Sequence, residues 1–125
     1  MEQGVINKPS LRSYLFVALF EYFGMVLLLV GINCSGNDAS VSAGGLFVAA
    51  TLTARLSGGH YNMAVTFAVY VLEAKWRKNL PIALAFTIVD LLGSFTAIII
   101  SALLLGPKNI FILIPPGELN NTTAS

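Results

Sequence analysis

Residues 57–72 read Ser57-Gly58-Gly59-His60-Tyr61-Asn62-Met63-Ala64-Val65-Thr66-Phe67-Ala68-Val69-Tyr70-Val71-Leu72. A polar, glycine-paired loop runs straight into a short apolar stretch. A helix that crosses a bilayer needs about 20 mostly apolar residues, and a run of roughly 10 to 14 falls short. Met63 to Leu72 is therefore too short to cross. Gly58 and Gly59 permit backbone conformations that other residues resist, and Asn62 is a good N-cap for a helix that begins at Met63. The stretch predicts a half-helix that enters the membrane and returns to the side it came from. Non-helical backbone at membrane depth is tolerated only where it is buried in protein or faces water, so a cavity is expected beside the loop. A half-helix whose positive end points at the midplane is a common way to present polar groups to a small solute or ion.

Three flanking segments are long enough to cross. They are 14–32, apolar except for Glu21; 41–56, rich in small residues; and 80–105, apolar except for Asp90 and a few hydroxyls. The expected fold is an all-α membrane protein with three transmembrane helices and one re-entrant half-helix, occupying residues 1–106, followed by a tail at 107–125. Positive charge stays on the cytoplasmic or equivalent side. With three crossings Lys8, Arg12, Arg55, Lys75, Arg77 and Lys78 fall on the N-terminal side, and only Lys108 falls on the other. A fourth crossing at 63–72 would separate Arg55 from the Lys75–Lys78 cluster, so the charge asymmetry supports the re-entrant reading independently.

Composition excludes other classes. The chain is 56% apolar and 10% charged, against about a quarter charged in soluble domains. A net charge of +1 and the lack of an arginine-rich stripe argue against nucleic acid as a partner. A single cysteine, Cys34, and a single histidine, His60, make neither an internal disulfide nor a metal site, and no cofactor motif is present. Ser57 and His60 are three apart, yet no nearby carboxylate orients the histidine and no nucleophile motif occurs, so an enzyme is not expected.

A carboxylate at the centre of a helix in lipid costs about 2.5 to 3.5 kcal/mol on insertion scales, so Glu21 and Asp90 should face protein or water. Glu21, Gly24, Leu28 and Gly31 share one helix face; Asp90, Gly93, Ser94, Ala97 and Ser101 share another. Gly44, Gly45, Ala49 and Ala50 offer a matching small-residue surface. The favoured reading makes both carboxylates buried structural acceptors that tie down N–H groups of the loop 57–62; a proton relay or ion site is the functional alternative.

The string from Ser57 to Thr66 resembles the first signature loop of the aquaporin and glycerol-facilitator (major intrinsic protein) family, S-G-x-H-x-N-P-A-V-T, and departs from it only at Met63. Glu21 and Gly24 resemble that family's E-x-x-G in the first span, and Leu91-Leu92-Gly93-Ser94 is similar to the L-L-G-A of its third. The resemblance covers roughly residues 11–106 and implies half of an aquaporin-like fold. It implies that Asn62 donates a hydrogen bond to water at the pore centre, with His60 and the carbonyls of Gly58 and Gly59 lining the approach and Ala64 completing the motif. Met63 stands in place of a proline that pre-sets the first helical turn. Asp90 stands where glutamine is common.

Family members carry two such halves in inverted orientation, and the second supplies a further Asn-Pro-Ala loop and a filter arginine. Here the chain continues after Gly106 through Pro107, an apolar stretch at 110–114, Pro115-Pro116 and overlapping sequons at Asn120 and Asn121. Two functions compete. One is a non-conducting accessory subunit whose open face is buried by other subunits of a larger membrane complex, with the tail as a docking segment; the reading leans this way, and to an organelle inner membrane such as the mitochondrial one. The alternative is a channel for water or small neutral solutes completed by a second half-chain. A truncated product of a full channel gene is a third possibility. An inverted copy of the same chain is disfavoured by the charge bias.

Overall fold

The computed structural model describes residues 11–107. Lys8, Lys108, the stretch 110–114 and the sequons at Asn120 and Asn121 lie outside the described residues. Helix α1 spans Leu11–Asn33. A turn with left-handed residues at Gly36 and Asn37 reverses the chain, and Asp38 caps α2 (Ala39–Ala49) by accepting from the Ser40 N–H at 2.7 Å. This helix continues through a π-helical turn, Ala50–Ala54, and a last α turn, α3 (Arg55–Ser57). The loop 58–62 leads to α4 (Met63–Leu72), and α5 (Trp76–Leu105) closes the bundle.

Leu11–Asn33, Ala39–Ser57 and Trp76–Leu105 are each long and apolar enough to cross a membrane, and Met63–Leu72 is not. The helices outrun the segments read from hydropathy, most clearly at α5. Its first turn contains Arg77 and Lys78, residues that favour helix but not hydrocarbon. Thirty residues make a helix about 45 Å long, longer than the roughly 30 Å apolar layer, so its start lies at the polar interface.

Apart from the aromatic rings of Tyr61 and Phe86, the bundle buries small and polar side chains and turns large apolar ones outward. Buried residues include Glu21, Ala49, Thr53, Thr66, Asp90, Ala97 and Ser101, while Phe16, Phe67, Phe95 and Leu103 are exposed. Lipid replaces water outside, so association rests on close backbone approach and interhelical hydrogen bonds. Helix α1 is central and packs on both α2 and α5. At its crossing with α2, a Cβ on Gly31 would lie 2.7 Å from the Gly45 Cα; at its crossing with α5, a Cβ on Gly93 would lie 3.0 Å from the Met25 Cβ. Tyr22 donates to Thr96 Oγ1 at 2.8 Å, and Asn33 donates to Ser101 Oγ at 3.1 Å, adding two links between α1 and α5.

The small-residue surface expected on α2 divides in two. Gly45 makes the crossing, whereas Gly44 is exposed and a Cβ there meets nothing within 4 Å. A helix places consecutive residues about 100° apart, so only one of the pair can face α1. Gly45→Leu is expected to lower stability by about 2 kcal/mol through overpacking, and Gly44→Leu to leave it unchanged or slightly raised. Thermal melts of the two variants followed by circular dichroism check the contrast.

Candidate functional site

The loop 58–62 threads between α1, the π turn and α5, and its backbone is held by a specific set of bonds. Gly58 (φ 101°) and Gly59 (φ 69°) take left-handed conformations that need no side chain. A Cβ on Gly59 would come 2.8 Å from the Ala54 Cβ, so this glycine is required for space as well. The Gly58 N–H donates to the Ala54 carbonyl at 2.9 Å and the Gly59 N–H to Ser57 Oγ at 3.1 Å. Ser57 Oγ in turn donates to the Thr53 carbonyl at 3.2 Å.

Tyr61 is also left-handed (φ 42°), which costs a non-glycine residue about 1 kcal/mol or more. Three contacts hold it there. Its N–H donates to Glu21 Oε1, its hydroxyl donates to Thr53 Oγ1 at 2.5 Å, and the same hydroxyl oxygen lies 3.2 Å from the Ala49 carbonyl. The Thr53 hydroxyl also donates to the Ala49 carbonyl at 3.0 Å. Thr53 belongs to the π-helical turn, a rare element that concentrates at functional positions. The ring of Tyr61 covers Gly24, directly where a side chain at that position would stand.

Sequence reasoning passed over Tyr61 and Thr53. Tyr61 sits at a variable position of the signature string, and no periodicity marks a single buried aromatic in a loop. Its one visible signal was a hydroxyl-bearing ring beside paired glycines in a chain with few polar residues to meet it.

Asn62 caps α4 as its sequence position suggested. Its backbone is extended, Oδ1 accepts from the Ala64 N–H at 2.8 Å, and its carbonyl accepts from the Thr66 N–H at 3.0 Å. The residue is exposed, and its Nδ2 donates to none of the described residues. Capping and donation are separate functions of the amide, so Nδ2 remains available at the positive end of the half-helix. Met63 and Ala64, next in sequence, are likewise exposed.

His60 turns the other way. Its Nδ1 is 3.0 Å from Thr66 Oγ1, and its ring meets Phe86 edge-on with centroids 5.1 Å apart. It borders a cleft of about 340 Å³ together with Thr66, Tyr70, Glu73, Asn79 and Phe86. Ser57 and His60 line the same cleft but bond to different partners, Thr53 and Thr66, so the arrangement holds no nucleophile–base pair.

Glu21 and Asp90 are both buried, at 0% and 1% exposure. Glu21 accepts from the loop through Tyr61. Asp90 does not: neither of its carboxylate oxygens, nor Glu21 Oε2, has a hydrogen-bond partner among the described residues. The expectation that both carboxylates tie down loop N–H groups thus fits Glu21 and not Asp90; the Gly58 and Gly59 N–H groups go instead to the Ala54 carbonyl and Ser57 Oγ.

Three helices long and apolar enough to cross a membrane, with a shorter apolar helix capped by an exposed asparagine, define an all-α integral membrane protein. The profile of the Major intrinsic protein family matches residues 13–122, and the chain belongs to that family. The match runs beyond Gly106 into the tail. Among curated proteins the chain is similar to a probable aquaporin TIP5-1 of Oryza sativa subsp. japonica, with 35% identity over 109 residues, covering 75% of this chain and 39% of the relative. The chain thus spans about two-fifths of the length of the curated relative it matches. No solved structure matches at a significant level.

Proposed function

We propose that this chain forms one half of a channel for water or small neutral solutes, completed across the face that carries Asn62 by a second half of opposite orientation. The observation that carries the reading is the state of Asn62: its Oδ1 is engaged in capping while its Nδ2 stands free among the described residues at the positive end of α4, on an exposed surface. An amide donor so placed can bind water or a hydroxyl and reject a cation. An open face of loop backbone in lipid is costly, so a complementary protein surface is needed. The charge bias supports an orientation with the N-terminus on the cytoplasmic or equivalent side.

A second reading is favoured by Met63. Proline at the first helical position is pre-organised for the turn, and methionine places a flexible apolar side chain, 44% exposed, on the open face. That suits a non-conducting subunit buried against other membrane subunits. Enzymatic activity forms no part of either reading.

Osmotic shrinkage of vesicles carrying the native assembly separates the two. Asn62→Asp keeps the capping oxygen and removes the amide donor. Conduction through this site predicts a loss of flux of about tenfold, the worth of roughly one hydrogen bond, with little change in stability. Unchanged flux, or no flux from an intact assembly, would move the assignment to the accessory subunit.

A further inference from the structure

The cleft beside His60 has a layout that the signature loop does not explain. About 340 Å³ in volume, it is lined from α1, α4 and α5, and neither Asn62 nor Met63 borders it. Rim and depth differ in chemistry. At one end stand Glu73, directly after α4, and Lys78 and Asn79 in the first turn of α5. One and two turns further along α5 come Ile82 and Phe86, with Val17 of α1 on the same lining. At the far end His60 and Thr66 are bonded to each other, so the unmet polar demand lies at the rim.

The rim sits at the level of lipid head groups, since α5 starts at the polar interface. Trp76, 49% exposed, packs edge-on against Tyr70 with centroids 5.2 Å apart, and the Tyr70 hydroxyl donates to the Trp76 carbonyl at 3.0 Å. Such aromatic rings settle at the membrane–water boundary. Glu73 Oε2 accepts from Asn79 Nδ2, which orients the carboxylate and leaves Oε1 open. Neither Glu73 nor Lys78 is paired with an opposite charge among the described residues. An anion on this rim meets the repulsion of Glu73, and a cation meets that of Lys78. A zwitterion satisfies both. A primary ammonium also donates hydrogen bonds to a carboxylate, which a quaternary one has no N–H to do.

We propose that this cleft seats a phosphatidylethanolamine. The head-group ammonium donates to Glu73, the phosphate accepts from Lys78, and the first methylenes of one chain lie on Val17, Ile82 and Phe86. The volume is at the small end of ligand pockets, which run from about 300 to 1,000 Å³, and suits a head group with the start of a chain. Lys75 and Arg77 favour anionic lipid at this level, but they do not line the cleft, where Glu73 balances Lys78. The site does not depend on whether a solute passes Asn62.

Native mass spectrometry of the full chain, extracted in mild detergent with any partner it retains and then stripped of lipid, reads the preference. Titrated with dioleoyl lipids that differ only in head group, it should retain phosphatidylethanolamine about fivefold better than phosphatidylcholine or phosphatidylglycerol, the worth of about one exposed ion pair. Glu73→Gln should erase the preference over phosphatidylcholine, and Lys78→Gln should weaken retention of both by a similar factor. Both side chains are exposed, so thermal melts of the variants should match the parent. The head-group comparison on the unsubstituted chain stands without either variant. Equal retention of the three lipids, a preference for phosphatidylglycerol, or an unaltered preference in Glu73→Gln would overturn the proposal. Displacement of the lipid by free phosphoethanolamine at equal concentration would also overturn it, making the occupant a soluble zwitterion.

Discussion

Glu21→Ala is expected to release the signature loop. The substitution leaves the buried Tyr61 N–H without its acceptor, and an orphaned buried donor costs about 1 to 3 kcal/mol before the cavity left by the carboxylate is counted. Tyr61 also holds a left-handed conformation that relaxes once its N–H is free. Amide exchange through residues 58–62 should then quicken by about a hundredfold, equivalent to roughly 3 kcal/mol of lost local stability. The exposed ends of α1 and α5 should exchange as before. Hydrogen exchange of the detergent-solubilised chain, read by mass spectrometry, measures this. Equal acceleration everywhere would show that Glu21 supports the bundle as a whole and not the loop.

Gly24→Val is the companion change, with an effect of similar size by a different route. A side chain at position 24 occupies the space of the Tyr61 ring and presses on Thr53 Oγ1, 2.6 Å from a Cβ built there. The ring has no free volume to enter, since its hydroxyl is fixed between Thr53 and the Ala49 carbonyl. Overpacking costs about 1 to 3 kcal/mol, and expulsion of the ring adds the loss of its two hydroxyl contacts. Tyr61→Ala in the same chain should restore much of that loss by vacating the space, a coupling that a double-mutant cycle of thermal melts would read. Glu21 and Gly24 are therefore two parts of one device: the acid takes the Tyr61 N–H, and the glycine three residues later admits the Tyr61 ring.

That device marks the limit of what the sequence makes legible. Long apolar runs fix three crossings because hydrocarbon demands about 20 apolar residues, and Met63 to Leu72 is too short by the same measure. Paired glycines and Asn62 locate the loop and the start of α4, since these are local signals. Gly31 and Gly93 read as packing residues from their faces, yet which of Gly44 and Gly45 meets α1 depends on helix rotation, and the sequence carries no local sign of it. The π turn at Ala50–Ala54 and the Tyr61–Thr53 contact are tertiary choices, made by a ring that must be buried and a hydroxyl that must be satisfied. Asp90 was legible as buried and not as unpartnered, because burial follows from its place in a span while its neighbours depend on how α5 packs on α1.

The central claim is that the face carrying Asn62 is built to meet a second channel half. Met63→Cys in a Cys34→Ser background places a single thiol on that face, and photocrosslinking from it in native membranes, followed by native mass after mild detergent extraction, identifies what lies against it. The account predicts a small particle in which position 63 crosslinks to a re-entrant loop of opposite orientation. Crosslinks to unrelated subunits within a large assembly would contradict it and leave the chain as a scaffold without a pore.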